Sequence, residues 1–151
     1  MADYIVDASV IIEYLITDQY TPNAIAFFAQ VRDSDQLIVP EFCLLECTNV
    51  IWKQVRFNNM SVTDSRYLLK DLRALKLRRT PMKRQLERAL EIGLNNALAV
   101  YDSSYIALAL HYSYPLITID EKQSLAATVE GVNLKPIIDF QHEIVLGTVN
   151  V

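Results

Sequence analysis

Short, uninterrupted apolar runs separated by stretches of helical periodicity constrain this chain more than any other feature. Tyr4-Ile5-Val6, Leu37-Ile38-Val39-Pro40 and Leu116-Ile117-Thr118-Ile119 are too short for helices and do not alternate with polar residues, the pattern of strands covered on both faces. A further short strand fits between Leu77 and Pro81. Helical patterns fill the intervals: Val10 to Leu15, a stretch behind Pro22 ending near Ser34, Glu41 to Arg56, Ser61 to about Leu75, Lys83 to Asn96, Tyr101 to Tyr112 and Lys122 to Val129. Strands alternating with helices predict parallel βαβ units, and so an α/β fold: a three-layer α/β/α sandwich with a short parallel sheet. With 151 residues, enough to bury roughly 70% of the unfolded surface, residues 1–151 are expected to form one domain.

Several function classes drop out early. Met1-Ala2-Asp3 lacks a basic leader, and Asp7 and Glu13 interrupt the apolar stretch behind it, so neither a secretory signal nor a membrane span is expected. A cytoplasmic protein is the corresponding expectation. Cys43 and Cys47, four apart on one helical face, have no further Cys or closely spaced His to complete a zinc site, and buried reduced thiols are the simpler reading. The only histidines, His111 and His142, are isolated and read as surface or capping residues rather than catalysts.

Net charge is −4, yet the segment from Arg66 to Arg88 holds nine basic residues against Asp71 and Glu87. Such a stripe is either an electrostatic footprint for phosphate or a solvated helix face. Four acids are placed more pointedly. Asp7, Glu46, Asp102 and Asp120 each border or interrupt an apolar run. Asp7, Asp102 and Asp120 precede helical stretches and could simply be N-caps. Glu46 reads as mid-helix, where it could belong to a solvent-facing polar stripe with Asn49 and Lys53. In an open parallel sheet, however, ligands bind beyond the carboxyl ends of the strands, where Asp7 and Asp120 fall. Acids gathered there would push one another toward the protonated form unless a cation joined them.

Four segments taken together resemble a known family. Val6-Asp7-Ala8-Ser9-Val10, Pro40 to Val50 around Glu46, Tyr101-Asp102-Ser103-Ser104-Tyr105 and Leu116-Ile117-Thr118-Ile119-Asp120 are similar, in order and over nearly the whole chain, to the signature segments of PIN-domain ribonucleases, and most closely to VapC toxins of prokaryotic toxin–antitoxin modules. Ser103 departs from the small apolar residue usual after the third acid, and the segment after Asp120 lacks an aromatic common there. Neither change removes an acid.

The resemblance implies that Asp7, Glu46, Asp102 and Asp120 are both the catalytic and the metal-holding residues, supported by Ser9, Asn49 and Thr118. Oxygen-only ligands select hard ions, so the expected cofactor is Mg²⁺ or Mn²⁺. The implied reaction is metal-dependent endonucleolytic cleavage of single-stranded RNA, and the implied partners are a second copy of the chain and a cognate antitoxin. RNA affinity would come from cations at the rim, with Lys53, Arg56, Arg78, Arg79, Lys83 and Arg84 as candidates. Two neighbouring readings are a catalytically silent PIN-like RNA-binding module and an RNA-processing PIN nuclease with no antitoxin. A phosphatase using Asp7 as nucleophile would need an acid two residues on, where Ser9 stands.

Overall fold

The computed structural model describes residues 2–141. Strands β1 (Asp3–Val6), β2 (Gln36–Pro40), β3 (Arg78–Thr80) and β4 (Leu116–Ile117) form one parallel sheet in the order β3-β2-β1-β4. The helices are α1 (Ala8–Leu15), α2 (Thr21–Gln30), α3 (Cys43–Phe57), α4 (Val62–Ala74), α5 (Leu86–Asn96), α6 (Val100–Tyr112) and α7 (Glu121–Val129).

Consecutive strand residues point to opposite faces. Ile5 and Val6, Leu37 through Val39, and Leu116 and Ile117 are all buried, so both faces of the sheet are covered, as the unalternating runs predict. Helix α2 meets β1 through an edge-to-face pair, Phe27 on Tyr4 at 5.7 Å between ring centroids, and Phe140 meets Phe27 edge-to-face at 4.9 Å. Helix α6, buried continuously from Ser103 to Ala109, contacts β1, β2 and β4.

The chain builds outward from β1 to β2 and β3, then returns through α5 and α6 to lay β4 on the other side of β1. That reversal puts a topological switch point between β1 and β4, the place at whose carboxyl end open α/β sheets bind their ligands. The predicted fourth strand, Leu116 to Ile119, stops at Ile117 for a specific reason. Asp7 N–H still bonds Ile117 O at 2.9 Å, but the next amides are captured by side chains: Ile119 N–H donates to Ser9 Oγ and Asp120 N–H to Thr118 Oγ1, each at 3.1 Å. The sheet therefore ends by turning its backbone over to polar side chains.

Other boundaries shift with local causes. The second helix ends at Gln30 rather than near Ser34, because the Asp35 carboxylate accepts from the N–H groups of Ala2 and Arg32 and holds the intervening loop. Lys83 to Gln85 form a 3-10 turn before α5. On α5 the core face is Ala89, Ile92 and Gly93, whereas Leu86, Leu90 and Leu94, aligned at spacing four, are 57%, 51% and 74% exposed. Gly93 is required by close approach: a Cβ there would lie 2.8 Å from the carbonyl oxygen of Leu98. Ser103, the departure noted in the third motif, is fully buried and donates to Ala89 O at 2.6 Å, joining α6 to α5.

Candidate active site

Asp7 leaves the end of β1 in extended conformation (φ −72°, ψ 149°) and caps α1. Its Oδ2 accepts from Ser9 N–H at 3.1 Å and from Thr118 Oγ1 at 3.2 Å, and its Oδ1 accepts from Gln123 Nε2 at 3.0 Å. Three donors fix a carboxylate that is only 5% exposed. Burial nonetheless dominates and raises its pKa above the usual carboxylate value, the hydrogen bonds to Ser9, Gln123 and Thr118 opposing the shift.

Asp120, exposed, caps α7 by accepting Gln123 N–H at 2.8 Å. Asp102 is not the cap the sequence allowed. Ala99 holds that position and Asp102 lies in the first turn of α6, half-buried. Burial, then Asp7, then Asp120 raise its pKa, while Lys122 pulls it down.

Glu46 also differs from expectation. It sits in the first turn of α3, not at its middle, and its Oε1 accepts Tyr105 Oη–H at 2.8 Å instead of facing open solvent. Burial is the largest influence on it, and with Asp7 and Asp102 nearby its pKa is pushed up to about 7, although the Tyr105 bond favours the ionised form. Each of the four acids thus feels, or is felt by, at least one of the others.

An open cavity of about 560 Å³ adjoins this cluster, lined by Ser9, Phe42, Glu46, Asn49, Lys53 and Tyr101 among others. Asn49 and Lys53 do share a helical stripe with Glu46, but the stripe faces the cavity. Of the six cations considered for RNA, Lys53 lines it. Arg56 lies over the ring of Phe57 at 5.3 Å, and Arg78 donates to Gln36 Oε1 at 2.9 Å on the sheet edge. Arg79, Lys83 and Arg84 are exposed, the latter two in the turn that follows the carboxyl end of β3. The basic stripe is therefore divided over α4, β3, a 3-10 turn and the start of α5 rather than laid along one helix.

Three residues that sequence reasoning passed over belong to this site: Gln123, Tyr105 and Lys122. Tyr105 and Gln123 stand three residues after Asp102 and Asp120, a spacing that returns a side chain to the same side of a helix. That spacing was visible; the choice of partner was not. Both cysteines are buried free thiols, as expected. His111 is exposed, edge-to-face with Tyr112 at 4.9 Å, and His142 lies outside the described residues.

The donor set suits a hard cation. Among the described residues no three carboxylates, thiols or imidazoles are grouped closely enough to cage a metal ion between them. An ion such as Mg²⁺ needs no cage, because it takes one or two carboxylates directly and keeps several waters. Two further observations agree with this. Burial first and neighbouring acids second raise Glu46 and Asp102, a penalty on their charge that a cation relieves, and the buried Oε1 of Gln123 has no partner among the described residues, an acceptor matched in kind to a water O–H.

Comparison with known proteins gives a consistent pattern. The family model described as PIN domain matches residues 4–129. The chain is 30% identical over 120 residues to the ribonuclease VapC9 of Mycobacterium tuberculosis, covering 80% of this chain and 87% of that protein. It is 25% identical over 137 residues to the exonuclease VapC9 of Pyrobaculum aerophilum, covering 90% and 93%. In three dimensions it is similar to the crystal structure of PAE2754 from Pyrobaculum aerophilum, with a TM-score of 0.67 and 19% identity over 91% of this chain and 85% of that one.

Proposed function

Because this chain belongs to the PIN-domain family, we propose that it is a metal-dependent endoribonuclease cleaving single-stranded RNA, the toxin of a toxin–antitoxin pair, with Asp7, Glu46, Asp102 and Asp120 as its catalytic and metal-holding acids. One observation carries this reading: acids from four separate segments lie in one another's field at the carboxyl end of the sheet, where open α/β sheets bind ligands.

When bound, Mg²⁺ or Mn²⁺ supplies a water of lowered pKa and positive charge against the scissile phosphate. The residues divide the remaining work. Asp7, held by three donors, is a rigid carboxylate. Glu46 is oriented by Tyr105 and its charge is stabilised when positive charge arrives. Asp102, to which no side chain donates among the described residues, keeps its oxygens free, and Asp120 is exposed. Ser9 and Thr118 bond each other at 3.3 Å and hold the Asp7 and Asp120 segments together. Asn49 and Lys53 meet the backbone of an RNA strand, and the exposed ring of Tyr101, edge-to-face with Phe42 at 5.2 Å, offers a surface on which a base stacks.

The same reading includes two protein partners. A second copy of the chain fits the exposed Leu86, Leu90 and Leu94 face of α5, since an apolar stripe of this kind marks a contact surface. A cognate antitoxin, the partner that resemblance to VapC implies, is matched by exposed Trp52, Phe57 and Tyr67 on α3 and α4, whereas Tyr14 and Tyr20 are partly buried and less available. Among the described residues no helix is long and apolar enough to cross a membrane, and free thiols and an RNA substrate both suit the cytoplasm.

The test uses purified full-length protein with Mn²⁺ on linear and on circular single-stranded RNA. Cleavage of both is expected, and Asp102→Asn should lose at least two orders of magnitude while melting normally. Undiminished cleavage by Asp102→Asn overturns the acid assignment. Cleavage restricted to linear RNA would point instead to the activity for which the Pyrobaculum relative is named.

A further inference from the structure

Gln123 is fully buried although it lies in the first turn of α7, whose cap, Asp120, is exposed. Its side-chain amide makes two bonds from one nitrogen, to Asp7 Oδ1 and to the main-chain oxygen of Asp102, each at 3.0 Å. Its own N–H meets Asp120 Oδ1 at 2.8 Å. One residue therefore ties together three of the four acid-bearing segments.

The amide's orientation is dictated by these partners. Turned over, Oε1 would face a carboxylate and a carbonyl, neither of which can donate. In the orientation adopted, Oε1 is buried without a partner among the described residues. Buried carbonyls are rarely left in that condition. A methionine or leucine would fill the same space with no such loss, so packing alone does not account for a glutamine. What an apolar side chain could not supply is the pair of hydrogens aimed at Asp7 and at the backbone of Asp102.

We propose that Gln123 is a positioning residue for this site: it fixes the Asp7 carboxylate relative to the start of α6, so that a divalent cation meets Asp7 and Asp102 already arranged. This rests on the nuclease reading above. The distinction from a merely structural tether is that loss of Gln123 should weaken cation binding without weakening the metal-free fold.

The experiment compares wild type, Gln123→Met and Gln123→Asn as full-length proteins. Methionine keeps the volume and removes the donors; asparagine keeps the amide one methylene short of its partners. Mn²⁺ affinity is measured from the free Mn²⁺ signal in electron paramagnetic resonance, well below the melting temperature, and metal-free stability by circular dichroism melts in chelator. Expected is a loss of about 10- to 100-fold in Mn²⁺ affinity, the effect typical of groups that orient metal ligands, with the melt in chelator unchanged or raised. A folded Gln123→Met protein that binds Mn²⁺ as wild type does overturns the proposal, as does a lowered melting temperature with unchanged affinity. If the methionine variant does not fold, the asparagine variant decides by the same two measurements. Wild type that neither binds Mn²⁺ nor cleaves RNA overturns the nuclease reading itself, and this proposal with it.

Discussion

Replacing Glu46 with Gln should stabilise the metal-free protein above neutral pH, and the structure sets both the sign and the size. The Glu46 carboxyl titrates at about 7 instead of 4.5, chiefly because burial disfavours its charge and secondarily because Asp7 and Asp102 repel it. A displacement of that size corresponds to roughly 3 kcal/mol against the charged form. Glu46 is only half-buried, so solvent screening reduces the expected effect to about 1–2 kcal/mol. The unfolded chain releases its proton near pH 4.5 and the folded chain near pH 7, so between those values the unfolded state binds fewer protons and stability falls as pH rises. Below pH 4.5 both states hold the proton and no penalty exists. Glutamine keeps an acceptor for Tyr105 and removes the charge. In chelator at pH 8, Glu46→Gln should therefore melt about 3–6 °C above wild type, and at pH 4 the two should coincide. Saturating Mn²⁺ should reverse the order at pH 8, because wild type then gains binding energy that the variant cannot match. Equal melting temperatures at pH 8, or a gain as large at pH 4 as at pH 8, would refute the account of a Glu46 charge penalised by burial and by its acidic neighbours.

Two other outcomes test the surfaces around the site. Lys53→Ala, in an Asp102→Asn background, should weaken binding of a fluorescent single-stranded RNA several-fold and reduce the salt slope by about 0.7, whereas Arg78→Ala, already engaged with Gln36, should not; equal effects would deny Lys53 a special place at the rim. Leu90→Asp should convert the proposed dimer to a monomer in size exclusion with light scattering, and a variant that remains dimeric would exclude the α5 stripe as the contact.

The strands and the ends of β1 and β4 were legible because two properties coincide in each: an apolar run too short for a helix, then an acid with cap chemistry. Asp7 and Asp120 do cap α1 and α7, so the bland reading of these residues and the functional one describe the same geometry. Glu46 was misplaced along its helix because the continuous apolar pattern from Glu41 hides where the helix begins, and the start is set at Cys43 by the chain leaving β2. Gln123 and Tyr105 could not be read as partners of Asp7 and Glu46, because hydrogen bonds spanning 116 and 59 positions are selected by tertiary packing, not by local pattern. The leucines of α5 show the opposite failure. Their period is correct for a helix, and period alone does not say which of two apolar faces meets the core.

Every acid of the site occupies the cap or opening turn of a different helix: α1, α3, α6 and α7. Four macrodipoles therefore aim their positive ends into one hollow, each worth about 0.3–1 kcal/mol to a nearby anion. The architecture is radial, like spokes meeting at a hub. Displacing any one helix start would therefore cost the hub both a carboxylate and the partial positive charge behind it.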